Sequence, residues 1–244
     1  MRPTFYRTPG ERLWQVLFRG FVGLVFIFLL LPLLAILPLS LNDSVFLTYP
    51  LSGLSTRWYR DFFGGQRWLD PLRNSVVIAV LATLIATILG TLAALGLVRH
   101  RPGPRRIIAS PVVSPLIVPV VITGVGTYFL YAPFGLTNSM AGLILAHTVL
   151  AVPFVVITIT ATLQGFDVTL LRAASSLGAP PITAFRMVVL PLILPGVLSG
   201  AVFAFATSFD EVVIALFLAG PSQRTLPVQM LSGIREEISP TITA

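Results

Sequence analysis

The chain has 244 residues, 55% of them hydrophobic and 10% charged, with a mean hydropathy of +0.92 and a formal charge of +7. Soluble domains carry about 25% charged residues, so this composition describes an all-α polytopic membrane protein and excludes an ordinary soluble globule. There is no cysteine and no lysine, which removes disulfides, thiolate metal sites, a Walker A lysine and a lysine Schiff base; if ATP drives this protein, a partner hydrolyses it. The arginines fall in the gaps between apolar runs instead of forming a stripe on a soluble face, so the positive charge reports membrane topology and not nucleic acid.

Residues 1–12 are polar and carry Arg2, Arg7 and Arg12, with Arg19 in the first turns of the next segment. The run 13–41 is predicted to be the first span, long enough to cross ~30 Å of hydrocarbon with some tilt and too long for a cleaved signal peptide. Residues 42–70 mix turn formers with Tyr49, Trp58, Tyr59, Phe62, Phe63 and Trp68, while Asp43, Asp61 and Asp70 offset Arg57, Arg60 and Arg67. Aromatic residues concentrate at membrane interfaces. The segment is either an external docking surface for a delivery protein or a loop lying in that interface; the Asn42-Asp43-Ser44 sequon is too short a pattern to carry weight.

The second predicted span, 71–98, bears the small residues Ala86, Gly90, Ala93, Ala94 and Gly96, which let helices approach closely in lipid. Arg99, Arg101, Arg105 and Arg106, with no acid among them, place the following loop in the cytoplasm. His100 there reads as a solvated side chain. In the third predicted span, 107–131, Pro111, Pro115 and Pro119 recur every four residues. Such prolines persist in a membrane where freed carbonyls find protein or water, so the stretch lines a pathway or is a kinked structural helix. The fourth span, 140–163, has His147 as its one ionisable residue, expected to pack with a hydrogen bond.

A polar island, 164–190, interrupts the apolar pattern. Asp167 can accept from the free amides of a helix start, Phe166 and Leu171 occupy the two positions of a hydrophobic staple, and Gly178 can close the helix in a left-handed turn. Pro180 and Pro181 turn a corner, and Ile182, Phe185 and Val189 share a face before Pro191 opens the next run. The fifth predicted span, 190–218, contains Gly196 and Gly200 in a GxxxG pattern and ends with Asp210 and Glu211 at ~28 Å from Pro191 along a straight helix. Ionised groups at that depth need water, a partner or a cation. Adjacent residues point about 100° apart, so one of the two faces a pathway while the other pairs within the protein. The alternative is an interfacial cap or structural pair. Residues 219–240 form a second external segment in which Glu236 and Glu237 balance Arg224 and Arg235. Ten of the 16 arginines fall on the side holding the N-terminus, 99–106 and 164–190, which predicts a cytoplasmic N-terminus and places the island inside.

Ala173, Ala174, Gly178, Leu190 and Pro191 resemble the "EAA" signature of membrane subunits of ABC-type importers, with no gap in the spacing. With HTVLAVPFVVIT, SFDEVVIALFLAGPSQRTLPVQM and EEISP added, nearly the whole chain is similar to the second permease subunit of the spermidine/putrescine group of type I ABC importers. The resemblance implies a single permease domain of the bacterial inner membrane that works by alternating access. It implies a heterodimer with a second permease subunit, a homodimeric cytoplasmic ATPase that binds ATP and magnesium, and a periplasmic substrate-binding protein. This chain itself is expected to hold no cofactor and no metal, and to catalyse nothing. The coupling contact would use Asp167, Leu171, Arg172, Ala173, Ala174, Leu177 and Gly178, with Arg172 standing where the family has glutamate. Asp210, Glu211, Phe209, Pro115 and Pro119 are the candidates for the substrate path; relatives carry an acid where Val120 stands here. A sixth span is expected beyond the sequence shown. A permease for another small solute, or an ATP-independent channel or secondary transporter, are the competing functions.

Overall fold

Hydrocarbon offers a backbone no hydrogen-bond partners, so each apolar run must pair its own amides and carbonyls as helix. The computed structural model describes residues 8–46, 49–99, 102–167, 169–236 and 240–242, and among these the only bridge between extended segments joins Asn42 and Leu54. The expectations for Arg2, Arg7, His100, Arg101 and Glu237 lie outside the described residues. Four helices are long and apolar enough to cross a membrane, or five if one bent pair counts as a span. The chain divides into two compact units, Met1–Gly65 with Gly233–Ala244, and Gln66–Ser232.

In the first unit, helix α1 (Pro9–Ser40) opens with a reciprocal cap. Thr8 Oγ1 accepts from the Glu11 amide and Glu11 Oε2 accepts from the Thr8 amide, with Pro9 at the first helical position. Its apolar side chains stand exposed along its length, as suits a helix surrounded by hydrocarbon. Beyond it, buried Asn42 organises the turn. Its Oδ1 accepts from the Ser52 amide and hydroxyl, and its carbonyl accepts from Trp58 Nε1 at 2.7 Å. The sequon asparagine is therefore a structural hub. Helix α2 (Arg57–Gly64) is held by this bond and by one between Tyr59 and Ser40 at 2.8 Å. Two of the expected interface aromatics thus tie the segment together.

The second unit holds α3 (Gln66–Arg99), α4 (Pro102–Ile117), α5 (Val120–Tyr131), α6 (Met140–Gln164), α7 (Thr169–Ser176), α8 (Pro181–Ala184), α9 (Leu190–Phe209), α10 (Val213–Leu218) and the start of α11 (Leu226–Glu236). Helices α3, α6 and α9 pack on one another around Val155. A methyl group on Gly90 of α3 would lie 2.7 Å from the Val155 side chain, and one on Gly200 of α9 would lie 3.0 Å from Val155 Cα. Gly196 meets Thr162 in the same way, so the GxxxG pattern grips α6 of its own chain. Ala86 and Ala94 continue the buried stripe of α3, whereas Gly96 faces open space.

Three expected boundaries are corrected. The span 107–131 is two helices bent by 103°, because Pro119 brings no amide and drives Val118 out of helical geometry. The span 190–218 stops at Phe209, and α10 is set apart against α5 and α6, with Phe217 filling the space over Gly124. At its other end that span begins at Pro181, continuous with α8 through a π turn at Phe185–Val189, so the chain turns its corner at Pro180 and Pro191 interrupts nothing. One end of the bundle is fastened by Asn74, whose Nδ2 donates to the carbonyls of Ser222 and Arg224, and by the Asn138 amide, which donates to the Leu218 carbonyl at 2.8 Å. The segment 164–181 lies at the opposite end.

Replacing Gly200 by alanine should destabilise the protein by ~1–3 kcal/mol, because the new methyl would lie 2.6 Å from Thr158 Oγ1 and 3.0 Å from Val155 Cα. Gly96→Ala, in open space, should be neutral or slightly stabilising. Unfolding midpoints in detergent check both, and equal midpoints for the two variants would contradict the packing.

Candidate functional site

The polar island folds as a short helix standing clear of the bundle. Asp167 Oδ1 accepts from the Thr169 amide at 2.9 Å, and the Asp167 carbonyl accepts from the Leu170 amide. Gly178, with φ of 78°, closes the other end as the Ala179 amide donates back to the Ala174 carbonyl. Only two turns of helix separate these caps. Phe166 and Leu171 pack against the core cluster of α3, α6 and α9, anchoring one face. A flanking face carries Leu170, Ala173 and Leu177 at helical spacing, all exposed, and Leu177 is 88% exposed. An exposed apolar ridge on a helix anchored beneath is a surface built for contact.

The expected coupling residues therefore divide. Leu171 and Ala174 face inward, Ala173, Leu177 and Gly178 face outward, and Asp167 is the cap. Arg172 is exposed and acts within the loop. The Thr169 amide chiefly, then the Thr169 side chain, hold the Asp167 carboxyl below its ordinary range, and the Arg172 charge adds to them. The cap is accordingly fully present above the ordinary carboxylate range and is lost as pH falls through the lowered value. A cleft beside α7 is lined by Thr162, Phe166, Asp167, Leu170 and Leu192.

At the other end, α9 stops at Asp210, whose backbone lies at φ −91° and ψ 1°. The two adjacent acids have different surroundings. Glu211 is half-buried and its Oε1 accepts from the Ile214 amide at 2.9 Å, capping α10. Asp210 is exposed. Phe209 stacks on Phe205 at 5.7 Å between ring centroids. Pro115 is half-buried inside α4, and Pro119 is exposed at the start of α5. His147 is buried against Ser208, as its expected packing role requires. The capping role of Glu211 had a local signal, since an acid three residues before Ile214 stands where a helix cap belongs. The π turn and the Asn74 clamp left no local trace.

Residues 86–244 match the family described as the binding-protein-dependent transport system inner membrane component. The chain is 31% identical over 225 residues to the spermidine/putrescine transport system permease protein PotC of Escherichia coli K12, covering 92% of this chain and 85% of that protein. It is 35% identical over 226 residues to the putrescine transport system permease protein PotI of the same strain, covering 90% and 80%. Its fold matches, with a TM-score of 0.72 at 13% identity over 98% of this chain and 91% of the other, the crystal structure of a bacterial ABC transporter involved in the import of the acidic polysaccharide alginate. A bundle fastened by small residues, a capped helix standing off one end and similarity over nine-tenths of the chain agree: the chain belongs to the family of binding-protein-dependent transport system inner membrane components.

Proposed function

We propose that this chain is one of two membrane subunits of an ATP-driven importer that moves polyamines such as spermidine or putrescine inward by alternating access. The observation that carries the substrate class is similarity to two polyamine permeases over nine-tenths of the chain. Chemistry supports it. A polyamine loses hydration on entering the path, and an exposed carboxylate beside the bundle, Asp210, compensates that loss.

The partners are a second permease subunit, a homodimeric cytoplasmic ATPase that holds ATP and magnesium, and a periplasmic substrate-binding protein. The N-terminus and α7 lie in the cytoplasm, in keeping with the arginine distribution. Helix α7 docks in the ATPase through Leu170, Ala173 and Leu177, and its anchored face passes the motion of that groove through Phe166 and Leu171 to the bundle core.

Native mass spectrometry of the complex from its own membranes should recover an ATPase pair, a second permease and a retained polyamine; recovery with another solute would sink the substrate. Leu177→Glu should cut ATPase co-purification and uptake by roughly tenfold or more, as loss of a central apolar anchor does, while the chain stays in the membrane. Full retention of the ATPase would remove α7 from the interface. Asp210→Asn should raise the apparent KM for spermidine uptake by about tenfold, the scale of one charge-assisted hydrogen bond. An unchanged KM would take Asp210 off the path.

A further inference from the structure

The break at 210–212 removes backbone hydrogen bonds that an unbroken helix would make, and two of them involve Ser208 and Ile214. In a continuous helix the Ser208 carbonyl would accept from the Val212 amide, and the Ile214 amide would donate to the Asp210 carbonyl. Side chains stand in for both. Nδ1 of His147, on α6, lies 3.1 Å from the Ser208 carbonyl oxygen and 2.9 Å from its hydroxyl, and Glu211 Oε1 takes the Ile214 amide. Neither substitute would be needed if α9 ran straight into α10.

Two further observations make this more than ordinary capping. His147 is 1% exposed, and its Nε2 has no partner among the described residues. A buried polar atom left unpaired is unfavourable, so the ring is placed for what Nδ1 does at Ser208. Meanwhile α10 is seated on α6, with Ile214, Ala215 and Leu218 in a core with Leu143 and Ala146 of α6. Phe209 and Asp210 lie between Ser208 and Glu211, and Asp210 is the charged one.

We propose that His147 and Glu211 are positioning residues that hold α9 and α10 apart and thereby present the Asp210 carboxylate to the cationic substrate. Glu211 acts through its accepting oxygen and not through its charge. Of the two adjacent acids one therefore meets the cargo and the other builds the site. The identity of the cation rests on the polyamine reading; the hold on the break does not.

The test uses the assembled importer in proteoliposomes, with spin labels at Leu198→Cys and Leu216→Cys, both exposed positions in a chain that has no cysteine of its own. A straight helix would set these sites ~27 Å apart, and the wild type should give a shorter distance. Glu211→Ala and His147→Leu should shift the population toward the longer one and raise the apparent KM for spermidine by roughly tenfold, with kcat changed less than about twofold. Glu211→Gln, which keeps the acceptor, and His147→Asn, which keeps a donor near Nδ1, should recover most of both losses. Unchanged distances in Glu211→Ala would overturn the proposal, as would a Glu211→Gln variant as impaired as the alanine. If the wild type moves no polyamine, the substrate reading fails separately, and the distances alone decide whether these side chains hold the break.

Discussion

Three helices meet at one valine, and the rest of the fold depends on how closely they do so. In lipid no water is released when apolar helices associate, so packing depends on dispersion contacts that only small residues allow backbones to reach. Gly90 brings α3 onto the Val155 side chain and Gly200 brings α9 onto the Val155 backbone, while Gly196 seats α9 a turn away against Thr162. Helix α6 is consequently the most buried of the long apolar helices. With α3, α6 and α9 locked together, both ends of the bundle have fixed places, and each end carries a different kind of interruption.

Those interruptions share a pattern. At several places where the helical ladder stops, a named group takes over some of its orphaned amides and carbonyls. Asp167 does so for the start of α7 and Gly178 permits the turn that closes it. Glu211 and His147 do so at the break between α9 and α10, and Asn74 holds two carbonyls of the segment beyond α10. The π turn at Phe185–Val189 is a milder case. The Leu190 amide reaches back to the Phe185 carbonyl, which widens the helix by one residue without breaking it, and such turns recur at functional places. Here it lies between the projecting helix and the tightly packed glycines.

The two ends have complementary chemistry. The α7 end presents an exposed apolar ridge on a helix anchored to the core. The Asp210 end presents an exposed carboxylate on a side-chain-supported kink. An importer needs both, joined by a bundle stiff enough to transmit between them, and the close packing at Val155 supplies that stiffness.

Much of this was legible in the residues. Low charge and long apolar runs alone require a helical membrane protein, and the caps at Asp167 and Gly178 are local chemistry that needs no tertiary partner. The motif around Ala173 to Pro191 pointed to the family because its residues stand at the family's spacing without a gap. What local pattern could not decide was where helices break and which way side chains face. Pro119 breaks its helix and Pro191 does not, because each outcome depends on whether surrounding structure accommodates the missing amide. The division of labour between Asp210 and Glu211 likewise turns on Phe217 finding Gly124 and His147 finding Ser208. Sequence by itself determined that two carboxylates sit at the end of a span and that Glu211 stands three residues before Ile214; only the tertiary structure, through contacts between residues far apart in the chain, decided that the span breaks there, so that Glu211 caps a helix and Asp210 is exposed.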